Sequence, residues 1–343
     1  MPMNPGGGTG TPTGSRPDGR TMQDFATRTE PHRRELLAHC YRMLGSVHEA
    51  EDLVQETLVR AWKAWAGYDP ARASVRTWLY RIATNACLTA LEGRARRPLP
   101  SGLGGPAGDP GAPLTPSFEI PWLQPFPDAR LDDPGLRLAR RGTLRLALLA
   151  AMQTLPPKQR AVLILRDVLE FSAAEVAGFL DTTPAAVNSA LQRARAGLGG
   201  LSADEVPEPD DTAVEAVVDR YLRAFERADV AGLVELLTDD VVMEMPPVPL
   251  WFRGRGDYGR FLERLFGMRG PEWRMTRTAA NGRPALAAYC RDDAGGFRLH
   301  TLQVLAVREG QVAHNVVFAD ADVLALFDLP AAQPAARASE GRP

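Results

Sequence analysis

The chain has 343 residues, enough for two or three domains of ordinary size, and its 45% hydrophobic and 24% charged residues are those of a globular protein. No apolar run approaches the roughly 18–20 residues that a membrane span needs, and the first residues, MPMNPGGGTGTPTGSRPDGR, lack the apolar stretch of a secretory signal. The net charge of −2 argues against nucleic acid only as an average, because the charge is unevenly placed along the chain.

Residues 1–22 read as a disordered leader. From about Asp24 to Arg97 the apolar positions recur at helical spacing, and residues 23–98 form a first, all-α unit. Its last part is basic: from Arg76 to Arg97 there are five arginines and one acid, Glu92. Residues 99–137 are dense in Pro and Gly and read as an interdomain linker, with an aromatic island, PWLQPFPD, inside it. Helix is expected again from near Leu136 to about Ala151, then from the prolines of LPPKQRAVLILRDVLEF onward. SAAEVAGFL carries Ser172 and Glu175 at capping-box spacing. Residues 138–200 make a second all-α unit with eight basic residues against four acids from Arg140 to Leu198. An acidic linker, 201–210, holds four acids and no base, and Asp211 adds a fifth acid directly after it. Two helices are expected over TAVEAVVDRYLRAFERADVAGLVELL, followed by alternating segments with turns at Asp293–Gly296 and at REGQ. That pattern gives an α+β domain over 211–330 and a disordered tail over 331–343.

Cys40, Cys87 and Cys290 stand far apart with no CxxC pair, which argues for a reducing compartment and against a disulfide framework or a zinc site. No metal and no obligatory cofactor is expected. His39 beside Cys40 reads as packing.

The stretch TTPAAVNSALQRARAGL places Val187, Leu191 and Ala194 on one helical face. Thr183, Ala185, Asn188, Ser189, Gln192, Arg193 and Arg195 are then on the outer face or at the helix start. With the short helix before it, this makes a helix-turn-helix. Asn and Gln bond adenine edges, and Arg bonds guanine or phosphate. Farther upstream, EAEDLVQETLVRAWKAW is amphipathic, with acids and half-exposed aromatics on one helix.

In context, TLPPKQRAVLILRDVLEFSAAEVAGFLDTTPAAVNSALQRARAGL resembles region 4 of the sigma-70 family. The stretch from HCYRMLGSVHEAEDLVQETL to LEGRARR resembles region 2, and the order matches the extracytoplasmic-function type. The resemblance implies a −35 reading surface at Thr183, Ala185, Asn188, Ser189, Gln192, Arg193 and Arg195. It implies −10 contacts from Arg76, Arg81, Asn85, Arg94, Arg96 and Arg97, with Asn85 near a flipped base. It implies docking of Asp52, Gln55, Glu56 and Trp62 on core RNA polymerase. Where the family usually has Gly, Lys and Arg, this chain has Asp181, Asn188 and Ala190, so its −35 module should bind DNA weakly by itself.

Residues from about 210 to 330 resemble the SnoaL-like, NTF2-like cone. The residues that could line its pocket are Met243, Met245, Trp251, Phe252, Tyr258, Phe261, His300 and Asn315, with Asp240, Glu244 and His300 as acid/base candidates. The cone hosts enzymes and binding modules alike, and no Asp–His pair stands out, so a regulatory rather than catalytic role is expected. Trp122, Leu123 and Phe126 are expected to dock on the C-terminal domain and bring it against regions 2 and 4.

The expected protein is a cytoplasmic, non-enzymatic transcription initiation factor. Its partners would be core RNA polymerase and promoter DNA, with an unknown small ligand in the cone and no membrane. Two alternatives remain at this point: a cyclase- or isomerase-type enzyme carried on a DNA-binding module, and a helix-turn-helix regulator that works without polymerase.

Overall fold

The computed structural model describes residues 21–131, 144–199 and 211–334. The expected leader up to residue 20, positions 136–143 of the helix expected from Leu136, the acidic linker 201–210 and the tail from 335 lie outside the described residues.

The first unit is a bundle of α1 (Met22–Thr29), α2 (Arg33–Leu44), α3 (Val47–Ala64) and α4 (Val75–Ala90). Thr21, Ser46 and Ser74 cap α1, α3 and α4 by accepting a backbone N–H, each worth about 1 kcal/mol. The core between the helices holds Leu36, Val47, Ala61, Leu79 and Ala83. The cysteines far apart in sequence meet here. Cys40 on α2 and Cys87 on α4 are both fully buried, and their mutual hydrogen bond, with burial, pushes the Cys87 thiol well up. His39 bonds Thr84 Oγ1 at 3.0 Å, and burial drives it down to about 3, so it packs as a neutral ring.

The second unit contains α5 (Leu146–Gln153), α6 (Pro157–Leu163), α7 (Ala173–Phe179) and α8 (Pro184–Gly197). After α6 the chain widens into a π-helical turn, Ile164–Val168. The Ser172–Glu175 capping box closes in both directions.

The third unit has α9 (Asp211–Glu226), α10 (Val230–Glu235) and α11 (Arg255–Arg269) against one sheet. The strands are β1 (Leu237–Glu244), β2 (Trp251–Arg253), β3 (Trp273–Ala280), β4 (Arg283–Arg291), β5 (Phe297–Arg308) and β6 (Gln311–Phe318). Their order is β2-β1-β6-β5-β4-β3, with β1 and β6 parallel and the other neighbours antiparallel. A short helix α12 (Ala321–Ala325) follows. The expected structureless tail is corrected at its start, because β7 (Ala332–Gln333) pairs with β5 through Phe297 and Arg298.

Both faces of this sheet carry apolar side chains. Met243, Leu286 and Leu305 meet Tyr221, Phe225, Phe261 and Phe266 of the helices. Leu302, Val304, Val316 and Phe318 share one cluster with Tyr41, Leu123 and Phe126. The second face is therefore a wall of the helical half. Among the described residues, no helix is long and apolar enough to cross a membrane.

Candidate nucleic-acid interface

On α8 the apolar stripe points inward: Val187, Leu191 and Ala194 are buried. Thr183, Ala185, Asn188, Ser189, Gln192, Arg193 and Arg195 are all exposed. Thr183 caps the helix, its Oγ1 accepting from Ala186 N–H at 3.2 Å. Arg195 is held in a bidentate pair by Asp167 of the π turn, at 2.9 and 2.7 Å. Asp181, in the turn before α8, sits in the left-handed region at φ 49°.

The arginines of the first unit divide differently. Arg81 and Asn85 are exposed on α4 and line a hollow of about 360 Å³ with Arg60, Ala64, Trp78 and Ile82. Arg76 lies in the seam between the two helical units, although the family pattern puts it on DNA. Its guanidinium is 4.9 Å from the Tyr80 ring centre and 4.7 Å from that of Phe171, and Nε donates to Glu35 at 3.1 Å. Arg94 and Arg97 both pair with Glu49, at 3.0 and 2.8 Å, and Arg96 donates to Gly102 O. These three line a cleft of about 520 Å³ with Arg160 and Gln153 of the second unit. Arg160 is itself buried and donates to Met43 O across the seam, so burial lowers it to about 10.

Asp52, Gln55 and Glu56 are exposed along α3, and Glu56 pairs with Arg60 at 2.5 Å. Trp62 is half-buried, edge-on to Phe25 at 5.3 Å, so it presents only part of its ring.

The linker's aromatic island is where the three units meet. Leu123 and Phe126 are fully buried, and Trp122 is half-buried with its indole N–H on Ser117 O. Gln124 caps α3: its Oε1 accepts from Ser46 Oγ and from Val47 N–H. Gly45 has φ 71°, and a Cβ there would lie 2.9 Å from Leu123, so only glycine fits. Asn281, in the β3–β4 turn, reaches all three units. It accepts the Phe126 N–H on Oδ1 at 2.8 Å, and its Nδ2 donates to Tyr41 Oη at 2.9 Å and Leu144 O at 2.7 Å. Its own N–H donates to Phe126 O. Asp128 then accepts Gly282 N–H, and Arg130 bonds Glu51 and Leu326 O. Sequence reading passed over Asn281. Its signal was the dipeptide Asn281-Gly282, with φ 56° and 69°, the signature of a two-residue hairpin turn.

In the cone, Met243, Met245, Phe252, Tyr258 and Phe261 share one apolar cluster. Asn315 joins Tyr221, Tyr258 and Gln303 in a buried polar knot, with Nδ2 donating to Tyr258 Oη at 2.6 Å. Trp251 turns instead to the linker, its indole N–H on Gly104 O. The acid/base candidates do not converge. Asp240 is exposed and paired with Arg308. Glu244 bonds His314 at 2.8 Å and the Ser101 N–H at 2.7 Å. Burial raises it, but these bonds outweigh that and hold its carboxyl low. His300 lies tilted against Trp273, with ring centres 5.6 Å apart, and burial, with Arg269, lowers it to about 4.

Known proteins share this organisation. The Sigma-70 region 2 family matches residues 29–97, the Sigma-70 region 4 family matches 145–198, and the SnoaL-like domain family matches 218–315. The chain is 48% identical over 326 residues to the ECF RNA polymerase sigma factor SigG of Mycobacterium tuberculosis, spanning 93% of this chain and 87% of that one. It is 28% identical to SigJ of the same organism over 82% of this chain and 88% of that one. The crystal structure of SigJ superposes with a TM-score of 0.62 at 24% identity, covering 89% of this chain and all of that one, which shows a common fold.

Proposed function

The chain belongs to the extracytoplasmic-function sigma factors of RNA polymerase, and from that premise we propose how its surfaces divide the work and how the third unit controls them. It is a promoter-specificity factor for transcription initiation. Its partners in this reading are core polymerase, through Asp52, Gln55, Glu56 and the exposed edge of Trp62, and promoter DNA. Asn188, Ser189 and Gln192 read the −35 element in the major groove, with Arg193 and Arg195 on phosphates and Thr183 and Ala185 at the helix entry. Arg81 and Asn85 serve the −10 element, and the hollow beside Trp78 receives an unstacked base. Arg94, Arg96 and Arg97 reach DNA only after leaving Glu49, Gly102 O and, for Arg97, Trp122 O. The third unit acts through its contacts rather than by catalysis in this reading: Asp240 and His300 stand apart, and the Glu244–His314 pair is tied to the linker by the Ser101 N–H. The protein works in the cytoplasm, where its partners are.

One observation carries the regulatory half of this reading. The two DNA-reading units touch, with the Tyr80 and Phe171 rings 5.2 Å apart and Arg160 bonded to Met43. The two promoter elements are about 25 base pairs apart, or about 85 Å at 3.4 Å per step. A chain in this arrangement does not span them. It is a closed form, stapled by Asn281 and the linker island, which must open on polymerase.

Abortive initiation with core polymerase at limiting concentration tests this. The full chain should direct core-dependent synthesis. Asn281→Ala should raise it about tenfold, since the orphaned Phe126 N–H and Leu144 O cost the closed form about 1–3 kcal/mol. Lower synthesis from Asn281→Ala would make the closed form a precursor of the active one. Synthesis independent of core would end the reading.

A further inference from the structure

The stretch of linker before the aromatic island, Gly104 to Ser117, looks like a passive tether in sequence. It is docked on the C-terminal domain along its length. Trp251 Nε1 donates to Gly104 O at 3.0 Å, and Ala107 N–H donates to Trp251 O at 2.8 Å. Arg264 Nη1 donates to Pro110 O at 2.7 Å and to Ala112 O at 2.6 Å. Ser117 N–H donates to Pro247 O at 2.9 Å. Pro110 is buried, and Ala107, Ala112, Leu114 and Ser117 are half-buried, while the residues between them are exposed. Ala107 and Leu114 pack against the apolar cluster of the cone.

All five of these polar contacts use the strap's backbone. That is how folded domains hold extended peptides: main-chain bonds give affinity, and recesses for a few side chains give selectivity. The Pro/Gly composition limits side-chain ordering cost, and the strap turns at Asp109–Ala112, where Ala112 N–H donates to Asp109 O at 3.1 Å, before running on irregularly to Ser117. A segment that merely spanned a distance would need neither the indole nor the guanidinium on its carbonyls.

We propose that the C-terminal domain is a peptide-recognition module. Its groove, between β2, α11 and the Pro246–Pro247 loop, takes a Pro/Gly-rich peptide with small apolar side chains, turned where Arg264 holds it. Residues 104–117 are its resident ligand. A second polypeptide of the same chemistry competes for the groove and frees this part of the linker, loosening the closed form. The inference deepens the regulatory reading above, but its test is a binding measurement that does not depend on transcription.

The probe is a fluorescent synthetic peptide of residues 104–117, titrated in anisotropy against full-length chains. In one chain the strap is replaced by Gly/Ser of equal length. That chain should bind the peptide saturably. The wild type should need at least about 100-fold more, because its own strap competes at millimolar effective concentration. Adding Arg264→Ala to the replaced chain removes two charge-assisted bonds and should weaken binding at least about tenfold. No saturable binding by the replaced chain, equal binding by the wild type, or binding indifferent to Arg264→Ala would overturn the proposal. Amide exchange on the otherwise intact chain provides a second test should the replaced chain fail to fold. The Ala107 and Ser117 amides should exchange at least about tenfold slower than in the free peptide, and lose that protection in Arg264→Ala. Exchange at the free-peptide rate in the wild type would equally overturn it.

Discussion

The two surfaces assigned to promoter DNA differ in how far they are free. On α8 every proposed reading residue is exposed; Arg195 is engaged with Asp167, and Thr183 caps the helix. On α4 and the segment after it, Arg81 and Asn85 are open, but Arg76, Arg94, Arg96 and Arg97 are held by groups of the protein itself. Under the proposed division, one surface is presented ready-made, and the other, mostly folded inward, needs the closed form to open. An arginine count therefore overstates the second surface and describes the first well.

The contrast breaks most sharply if α8 can be silenced alone. Asn188→Ala with Gln192→Ala removes two base-reading amides, each worth about 1–3 kcal/mol of discrimination. Initiation from a promoter with its −35 element should fall roughly 100-fold, and initiation from one lacking that element should be unchanged. Equal losses on both templates would remove α8 from sequence reading.

Arg76 and Arg81, one helical turn and a residue apart, should behave as opposites. Arg81→Ala should reduce open-complex formation and leave the melting temperature alone. Arg76→Ala should leave Glu35 and Tyr80 short of a partner and cost about 1–3 kcal/mol of stability, or several degrees. The acid limb adds a signature. Burial raises the Glu35 carboxyl, but bonds from His32 and Arg76 outweigh it and hold the carboxyl below its ordinary range. A depressed carboxylate contributes stability above its unfolded pKa, near 4.5 in the ordinary state, and loses it as pH falls through the folded value. Arg76→Ala should flatten that loss in a denaturation series below about pH 5. Glu49→Gln sharpens the contrast from the other side: it releases Arg94 but leaves Arg97 on Trp122 O, and the salt dependence of DNA binding should steepen by about one counterion.

What could be read in the sequence follows the same divide. The helices, the capping box at Ser172 and the outward face of α8 rest on neighbours three or four residues away, so periodicity finds them. The fate of Arg76, Arg94 and Arg97 rests on Glu35 and Glu49, which come from other helices, and no local pattern pairs them. The linker shows both cases. Trp122, Leu123 and Phe126 stood out by composition, and two of them are wholly buried at the junction of the three units. The strap at 104–117 did not stand out, because its contacts are made by backbone atoms that every residue carries. Likewise Cys40 and Cys87 look unrelated until α2 and α4 are packed.

The smallest effect concerns the turn that aims α8. The family pattern has glycine where this chain has Asp181, and the backbone there is left-handed at φ 49°. An L-residue in that region costs about 1 kcal/mol, less for Asp than for most, whereas glycine adopts it without a Cβ penalty. Asp181 is exposed, so its side chain is not needed for packing. The backbone bond that closes the turn, Thr182 N–H to Ala177 O at 3.0 Å, is independent of the side chain. Asp181→Gly should therefore stabilise the second unit by up to about 1 kcal/mol, offset in part by the greater freedom of the unfolded chain. It also removes a negative charge beside a surface meant for phosphates, so DNA affinity should rise modestly and more at low salt than at high. Lower stability together with unchanged affinity would mean that the aspartate holds the turn by contacts of its own. The weakness expected of this −35 module would then rest on Asn188 and Ala190 alone.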